Sequence, residues 1–134
     1  MAQIEHERYG FSVESPKSFD QAVASVKETL KKQGFGILSE IDVAATLKQK
    51  IDVEREPYLI LGACNPQFAH EALQTKEQLG LLLPCNVTIR RKDGKTLISA
   101  IDARTMMSVV ENNKLSEVAD EVNTRLQAAI GEAA

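Results

Sequence analysis

The 134-residue chain has a net charge of −3, with 43% hydrophobic and 26% charged residues, which are ordinary values for a globular protein. This weak acidic balance, together with four Phe, two Tyr and no Trp, argues against nucleic-acid binding and against an anionic membrane surface. No apolar run approaches the ~20 residues of a membrane span, and no secretory signal pattern opens the chain. We therefore predict a soluble, cytoplasmic protein with a single domain, residues 1–134, and no membrane partner.

The first third of the chain predicts a strand, a helix and a second strand. Alternation in residues 3–13 places Tyr9, Phe11 and Val13 on one side of a strand. Ser18 and Gln21 fit a capping box, and Gly34 supplies the stop of the helix that follows. Residues 35–41 then form the second predicted strand.

The middle of the chain predicts two further helices around a central strand. Asp42 is placed to cap a short helix that runs to about Lys50. Residues 58–63 are a continuous apolar run, which suits a strand with both faces covered. Asn65 and Pro66 fit the N-cap and the first position of a third helix, and Gly80 should end it.

The last third predicts a hairpin and a long helix. Residues 85–91 and the strand after them flank Asp93-Gly94, which favours a two-residue turn. The resulting register pairs Ile89 with Ile98, Val87 with Ala100, and Cys85 with Asp102. The last helix should begin at Asn112 or Asn113, and its end should fray.

The predicted order of elements is β-α-β-α-β-α-β-β-α. The hairpin requires an antiparallel pair, and the longer connections permit either direction. The most economical solution is an α+β fold, in which a mostly antiparallel sheet of about five strands carries helices on one face.

Four short motifs now resemble those of a known family. They are I-D-V at residues 41–43, Y-L-I-L-G at 58–62, C-N-P at 64–66 and L-P-C at 83–85. In this order and spacing they resemble the signature of domain of unknown function family 302. The resemblance covers about residues 11–126 and implies a small α+β domain of the TATA-box-binding-protein-like type, with a curved antiparallel sheet. It also implies a homodimer, and it implies no activity. The sequence departs from the pattern at Asp102-Ala103, where a proline is expected after the aspartate.

The two cysteines are the main candidates for chemistry. Cys64 stands before a helix N-terminus, where the helix dipole favours a thiolate and would lower the pKa of Cys64. Cys85 begins a strand, and Asp102 would raise its pKa if the two faced each other. If their strands are neighbours, the two sulfurs lie close together and form a redox pair or a soft-metal site. The alternative is that both are buried as small hydrophobic side chains.

Asp42 and Asn65 are the remaining candidate site residues. Either one fits a polar group in a binding site, but the N-cap role explains both positions better. Met106-Met107 fits the core or a dimer seam. The chain carries no phosphate-binding loop, no nucleophile elbow and no metal-binding histidine pair. We therefore predict no catalytic residue, no cofactor and no complete metal site.

Two classes of function stay open. The first is a non-catalytic binding module for a small ligand or a second subunit. The second is a thiol-dependent redox or soft-metal-handling protein that uses Cys64 and Cys85. The first is preferred, and an enzyme is the less expected outcome, because nothing beyond the cysteines indicates chemistry. A homodimer is expected from the family resemblance and from Leu97 and Ile101, which lie on the second face of the hairpin.

Overall fold

The fold is built on one open antiparallel sheet of six strands, in the order β1-β2-β6-β5-β4-β3. A computed structural model describes residues 3–134. The strands are β1 Ile4–Glu7, β2 Gly10–Ser15, β3 Gly36–Asp42, β4 Tyr58–Cys64, β5 Cys85–Lys92 and β6 Lys95–Ile101. The predicted α+β class with a mostly antiparallel sheet is confirmed, with six strands in place of about five.

Two long helices pack against each other and cover one face of this sheet. The helices are α1 Phe19–Lys32, α2 Val43–Ile51, α3 Pro66–Thr75, α4 Ala103–Met107 and α5 Asn113–Ala133, with 3-10 helices at Glu77–Leu82 and Ser108–Val110. The long pair is α1 and α5. No helix within residues 3–134 combines the length and the apolar character needed to cross a bilayer.

Local sequence signals set the ends of α1, as predicted. The Ser18 hydroxyl accepts a hydrogen bond from the Gln21 backbone N–H at 3.2 Å, and the Gln21 side chain accepts one from the Ser18 N–H at 3.2 Å. This reciprocal capping box satisfies two N–H groups that the first turn leaves without a helical partner. At the other end, Gly34 takes a φ of +86°, a conformation that glycine adopts without strain.

The β5–β6 hairpin also follows its sequence signal. Asp93 and Gly94 both have positive φ, at 53° and 78°, which matches the twist that a two-residue turn needs between antiparallel strands. The predicted pairs of Val87 with Ala100 and Ile89 with Ile98 are confirmed. Their side chains enter the core, where sheet and helices meet. Its largest fully buried residues include Leu30, Leu61, Ile89, Ile98, Leu115, Leu126 and Ile130.

The N-terminal strand differs from its prediction. The chain turns at Arg8-Tyr9 and divides the predicted strand into β1 and β2, which pair with each other. Tyr9 is 72% exposed in that turn, while Phe11 and Val13 are buried as predicted. Alternation alone does not show such a turn, because the residues that follow it keep the same period.

Three further predictions are corrected, and one helix is additional. Helices cover only one face of β4: Leu61 is buried, whereas Tyr58 is partly exposed on the other face. Helix α3 ends at Thr75, before Gly80, because the chain tightens into a 3-10 helix. Helix α4 has no predicted counterpart. The C-terminus is helical through Ala133, which is buried rather than frayed.

The second face of the sheet carries no helix from α1 or α5, and we call it the open face. Its side chains alternate with those of the core along each strand. A broad concave surface on this face includes Glu5, Glu7, Ser12, Tyr58, Thr88, Arg90, Leu97, Ser99 and Ile101. The surface therefore combines acidic, basic and apolar groups.

Gly10 provides a test of the β2–β6 contact. A Cβ at this position would lie 2.7 Å from the Ala100 backbone oxygen, and strand backbone cannot move aside as a flexible side chain can. We expect Gly10→Ala to lower the free energy of unfolding by about 1–3 kcal/mol, as overpacking does elsewhere.

Gly80→Ala is the matched control, because a Cβ at Gly80 meets nothing within 4 Å. Urea unfolding of both variants measures the difference. Equal stability of the two variants would contradict the close approach of β2 to β6.

Candidate functional site

A small apolar cavity lies where β4 ends and β5 begins, beneath α3, α4 and α5, and we call it the thiol cavity. Its volume is about 30 Å³. Cys64, Cys85 and Met107 all contribute to its wall. The remaining wall is almost wholly carbon and includes Phe35, Ala63, Phe68, Ala72, Leu115 and Ala119. Three sulfur-containing residues, Cys64, Cys85 and Met107, therefore border the same cavity.

Strand pairing brings the two cysteines together. In the β4–β5 register Ala63 lies opposite Cys85, so Cys64, the next residue of β4, lies diagonally across from Cys85. Cys85 is buried, with 7% exposure, and Cys64 is partly exposed. Both are free thiols. The strands of the two cysteines are therefore neighbours, which the sequence analysis required if the two thiols were to lie close together.

Asn65 is the N-cap of α3, as predicted, and also borders the thiol cavity. Its Oδ1 accepts hydrogen bonds from the backbone N–H groups of Gln67 at 3.1 Å and Phe68 at 3.2 Å. Replacing such a cap by alanine typically costs about 1 kcal/mol. Since the Asn65 oxygen takes up these two N–H groups, they do not point to the Cys64 sulfur.

The pKa of Cys64 moves in the direction opposite to the sequence expectation. Burial raises the pKa of the Cys64 thiol, because an apolar wall disfavours the charged thiolate. The helix N-terminus does not offset this effect, since the Asn65 side chain already accepts from its first free N–H groups.

The pKa of Cys85 is also raised, but by a different group from the one predicted. Burial, with a smaller contribution from the neighbouring Cys64, raises the pKa of Cys85 to about 11. Asp102 lies beyond the end of β6 and does not pair with Cys85. It caps α4 instead, and its Oδ1 accepts hydrogen bonds from the Thr105 N–H at 3.1 Å and from Asn123 Nδ2 at 2.9 Å.

Met107 is a site residue that the sequence analysis did not identify. It lies at the end of α4 and is 9% exposed. The sequence contained one signal for this helix: Asp102 is a residue type that favours N-caps. The methionine pair alone indicated core, and Met107 is indeed packed there. Its neighbour Met106 is partly buried and does not line the thiol cavity.

Asp42 lies apart from this site. It caps α2, and its Oδ1 accepts a hydrogen bond from the Ala45 N–H at 2.9 Å, so the predicted N-cap is confirmed. Gly36, at the other end of β3, is the residue paired with Cys64. At ~3.3 Å per strand residue, Asp42 is roughly 20 Å from the cysteines.

Neither histidine belongs to the thiol cavity. His6 packs edge-on against Phe11, with ring centroids 5.1 Å apart, and His70 is exposed on α3. No group of three or more His, Cys, Asp or Glu side chains that would suit a metal ion occurs in the part of the chain that the structure describes.

The sequence and the fold are both similar to those of known proteins. The model of the family described as domain of unknown function DUF302 matches residues 11–133. The chain belongs to this family. A crystal structure of an uncharacterized conserved DUF302 protein from Bacillus stearothermophilus is similar, with a TM-score of 0.88 and 26% identity over 93% of this chain and 98% of that one. No curated protein matches the sequence. The family resemblance seen in the sequence is confirmed, and the match includes every sulfur of the thiol cavity.

The different burial of the two thiols predicts a different rate of alkylation. We expect iodoacetamide to modify Cys64 faster than Cys85 at about pH 8.5, because only Cys64 is partly exposed and reaction requires an accessible thiolate. The Cys64 rate should still rise above pH 9.0, the ordinary thiol value, because burial raises its pKa.

Mass spectrometry of single variants checks this assignment. Cys85→Ser should retain the faster-reacting thiol, and Cys64→Ser should lose it. Equal, slow labelling of both thiols in the native protein would contradict it.

Proposed function

We propose that this protein is a non-catalytic binding module and that the thiol cavity is its site for a small ligand. The observation that carries the proposal is the composition of the cavity wall. Asn65 is the one side chain with nitrogen or oxygen among the residues that line it, and its Oδ1 is engaged by α3. Apolar walls with few polar groups are typical of ligand sites.

The same wall argues against catalysis at this site. No Asp, Glu, His, Lys or Arg lines the cavity, so neither thiol has a general base beside it. The raised pKa of Cys64 and of Cys85 keeps both groups protonated near neutral pH, which makes them weak nucleophiles. Ligand binding requires no general base, whereas nucleophilic catalysis by a protonated thiol does.

Two atom-sized probes test whether the cavity binds anything. We expect xenon, a neutral probe, or Ag(I), a soft ion, to shift the backbone amide NMR signals of Ala72, Met107 and Ala119, which border the cavity on three helices. The amide of Asp42, roughly 20 Å away by strand length, is the internal control.

A variant with a filled cavity completes this test. Ala119→Val adds apolar volume to the wall and should remove the shifts. If neither probe moves the three signals in the unmodified protein, the cavity is not a binding site.

We also propose that the open face packs against a second copy of the chain. Leu97 and Ile101 supply partly exposed apolar groups at its centre. Glu5 and Glu7 lie on β1, which is an edge strand. Arg90 lies on β5, which is the fourth strand from that edge. A two-fold axis that passes between β1 and β5 would bring the acidic part of one copy to Arg90 of the other in an isologous interface.

The free thiols and the charges of the open face support two further parts of the proposal. Free cysteines persist in reducing compartments, which supports the cytoplasm as the location. Glu5 and Glu7 would repel nucleic-acid phosphates from the β1 edge of the open face, which supports protein as the partner.

Light scattering of one matched pair of variants tests the dimer. We expect the unmodified chain to have the mass of a dimer at micromolar concentration and Leu97→Glu to have that of a monomer, because it buries a charge in the interface. Leu81→Glu should remain dimeric, since Leu81 is 82% exposed on a 3-10 helix away from the sheet. A monomer mass for the unmodified chain would refute the dimer.

A further inference from the structure

We propose that the ligand of the thiol cavity is a monovalent soft metal ion, Cu(I), bound by the sulfur atoms of Cys64, Cys85 and Met107. This inference rests on the proposed function, that the thiol cavity is the binding site. It adds the chemical class of the ligand and a third donor, the thioether of Met107.

The donor atoms of the cavity select the kind of ion. Calcium and magnesium require several oxygen ligands, and the one oxygen-bearing side chain of the wall, Asn65, already accepts two backbone hydrogen bonds. Zinc in a structural site takes four ligands, and no histidine or carboxylate joins the two cysteines here. Thiolate and thioether sulfur are the ligands that favour Cu(I). The wall therefore offers donors that suit one class of ion.

The size of the cavity also favours a single metal ion over an organic ligand. A volume of about 30 Å³ exceeds the ~10–15 Å³ that a single water molecule needs. A cavity that holds benzene measures ~150 Å³, so an organic ligand of even that size would require the helices to move apart. A single ion surrounded by sulfur needs no such movement.

The partial exposure of Cys64 provides a route into the site. Cys64 is partly open to solvent, whereas Cys85 and Met107 are buried behind it. An incoming ion therefore meets the Cys64 sulfur first and passes by ligand exchange to the other two. The burial of the site then protects bound Cu(I) from water and oxidants.

The binding of Cu(I) requires no electron transfer. Copper enters as Cu(I) and leaves its carrier ligand. The S–H bonds of Cys64 and Cys85 break, two Cu–S bonds form, and both protons go to solvent. Met107 donates a lone pair and loses no proton. Two thiolates and one monovalent ion leave one net negative charge.

An anaerobic competition experiment tests the proposal. The reduced protein is titrated with Cu(I) in the presence of a chromophoric Cu(I) chelator, whose absorbance reports the free ion. We expect one Cu(I) per chain, and we expect Cys64→Ser and Cys85→Ser each to lose it. Zn(II) should not compete at equal concentration.

Met107→Leu tests the thioether separately, because leucine keeps the volume and the fold. Even the loss of an outer-shell partner costs roughly 10–100-fold in metal affinity, so we expect the loss of this ligand to weaken Cu(I) binding by at least about tenfold. Met106→Leu is the matched control, since Met106 is the adjacent residue and lies outside the cavity wall; it should bind as the unmodified protein does. Equal affinity of the two variants would remove Met107 from the site.

The xenon and Cu(I) experiments together distinguish a wrong metal assignment from a wrong binding site. If xenon shifts the amides of Ala72 and Ala119 but Cu(I) stays with the chelator, the cavity is a binding site and the metal assignment is wrong. If neither xenon nor any metal ion perturbs these amides, both fail. Binding that persists in the double variant Cys64→Ser, Cys85→Ser would place the copper elsewhere and overturn the inference.

Discussion

The antiparallel pairing of β4 with β5 is the constraint on which the site depends. It places Ala63 opposite Cys85 and so brings Cys64, at the end of β4, to the start of β5. A change of register by one residue would exchange the two faces of β5 and move Cys85 out of the core. The burial of Leu61 and Val87 in the same two strands prevents this change, because both must face the helices. The hydrophobic core therefore fixes the position of Cys85 beside the end of β4.

Helix packing determines which parts of the sheet are free to bind. α1 and α5 cover one face and close the core, and α3 and α4 complete the walls of the thiol cavity at its edge. The open face is not covered by α1 or α5 and carries charges of both signs. The thiol cavity and the open face are thus separate regions of the structure. A change on the open face should leave the cavity intact.

Much of the fold could be predicted from short-range signals. The caps at Ser18, Asp42 and Asn65 and the Asp93-Gly94 turn were predictable because the groups involved lie within a few residues of each other. The turn at Arg8-Tyr9 was not, since neither of its two central residues is a glycine or asparagine, although Gly10 follows directly. The raised pKa of Cys64 was not predictable either. It depends on burial by α3, α4 and α5, whereas the sequence shows only the helix N-terminus beside the thiol.

The position of Met107 beside the cavity was also not predictable from the sequence. Met107 reaches the cavity through α4, a helix too short to give a periodic pattern, and through its contact with α5.

The proposed copper site is tested most directly by an anomalous difference map from crystals of the reduced protein grown with Cu(I). We expect one peak per chain, within bonding distance of Cys64 Sγ, Cys85 Sγ and Met107 Sδ. A peak elsewhere on the chain, or an ordered cavity with no peak at full copper loading, would contradict it.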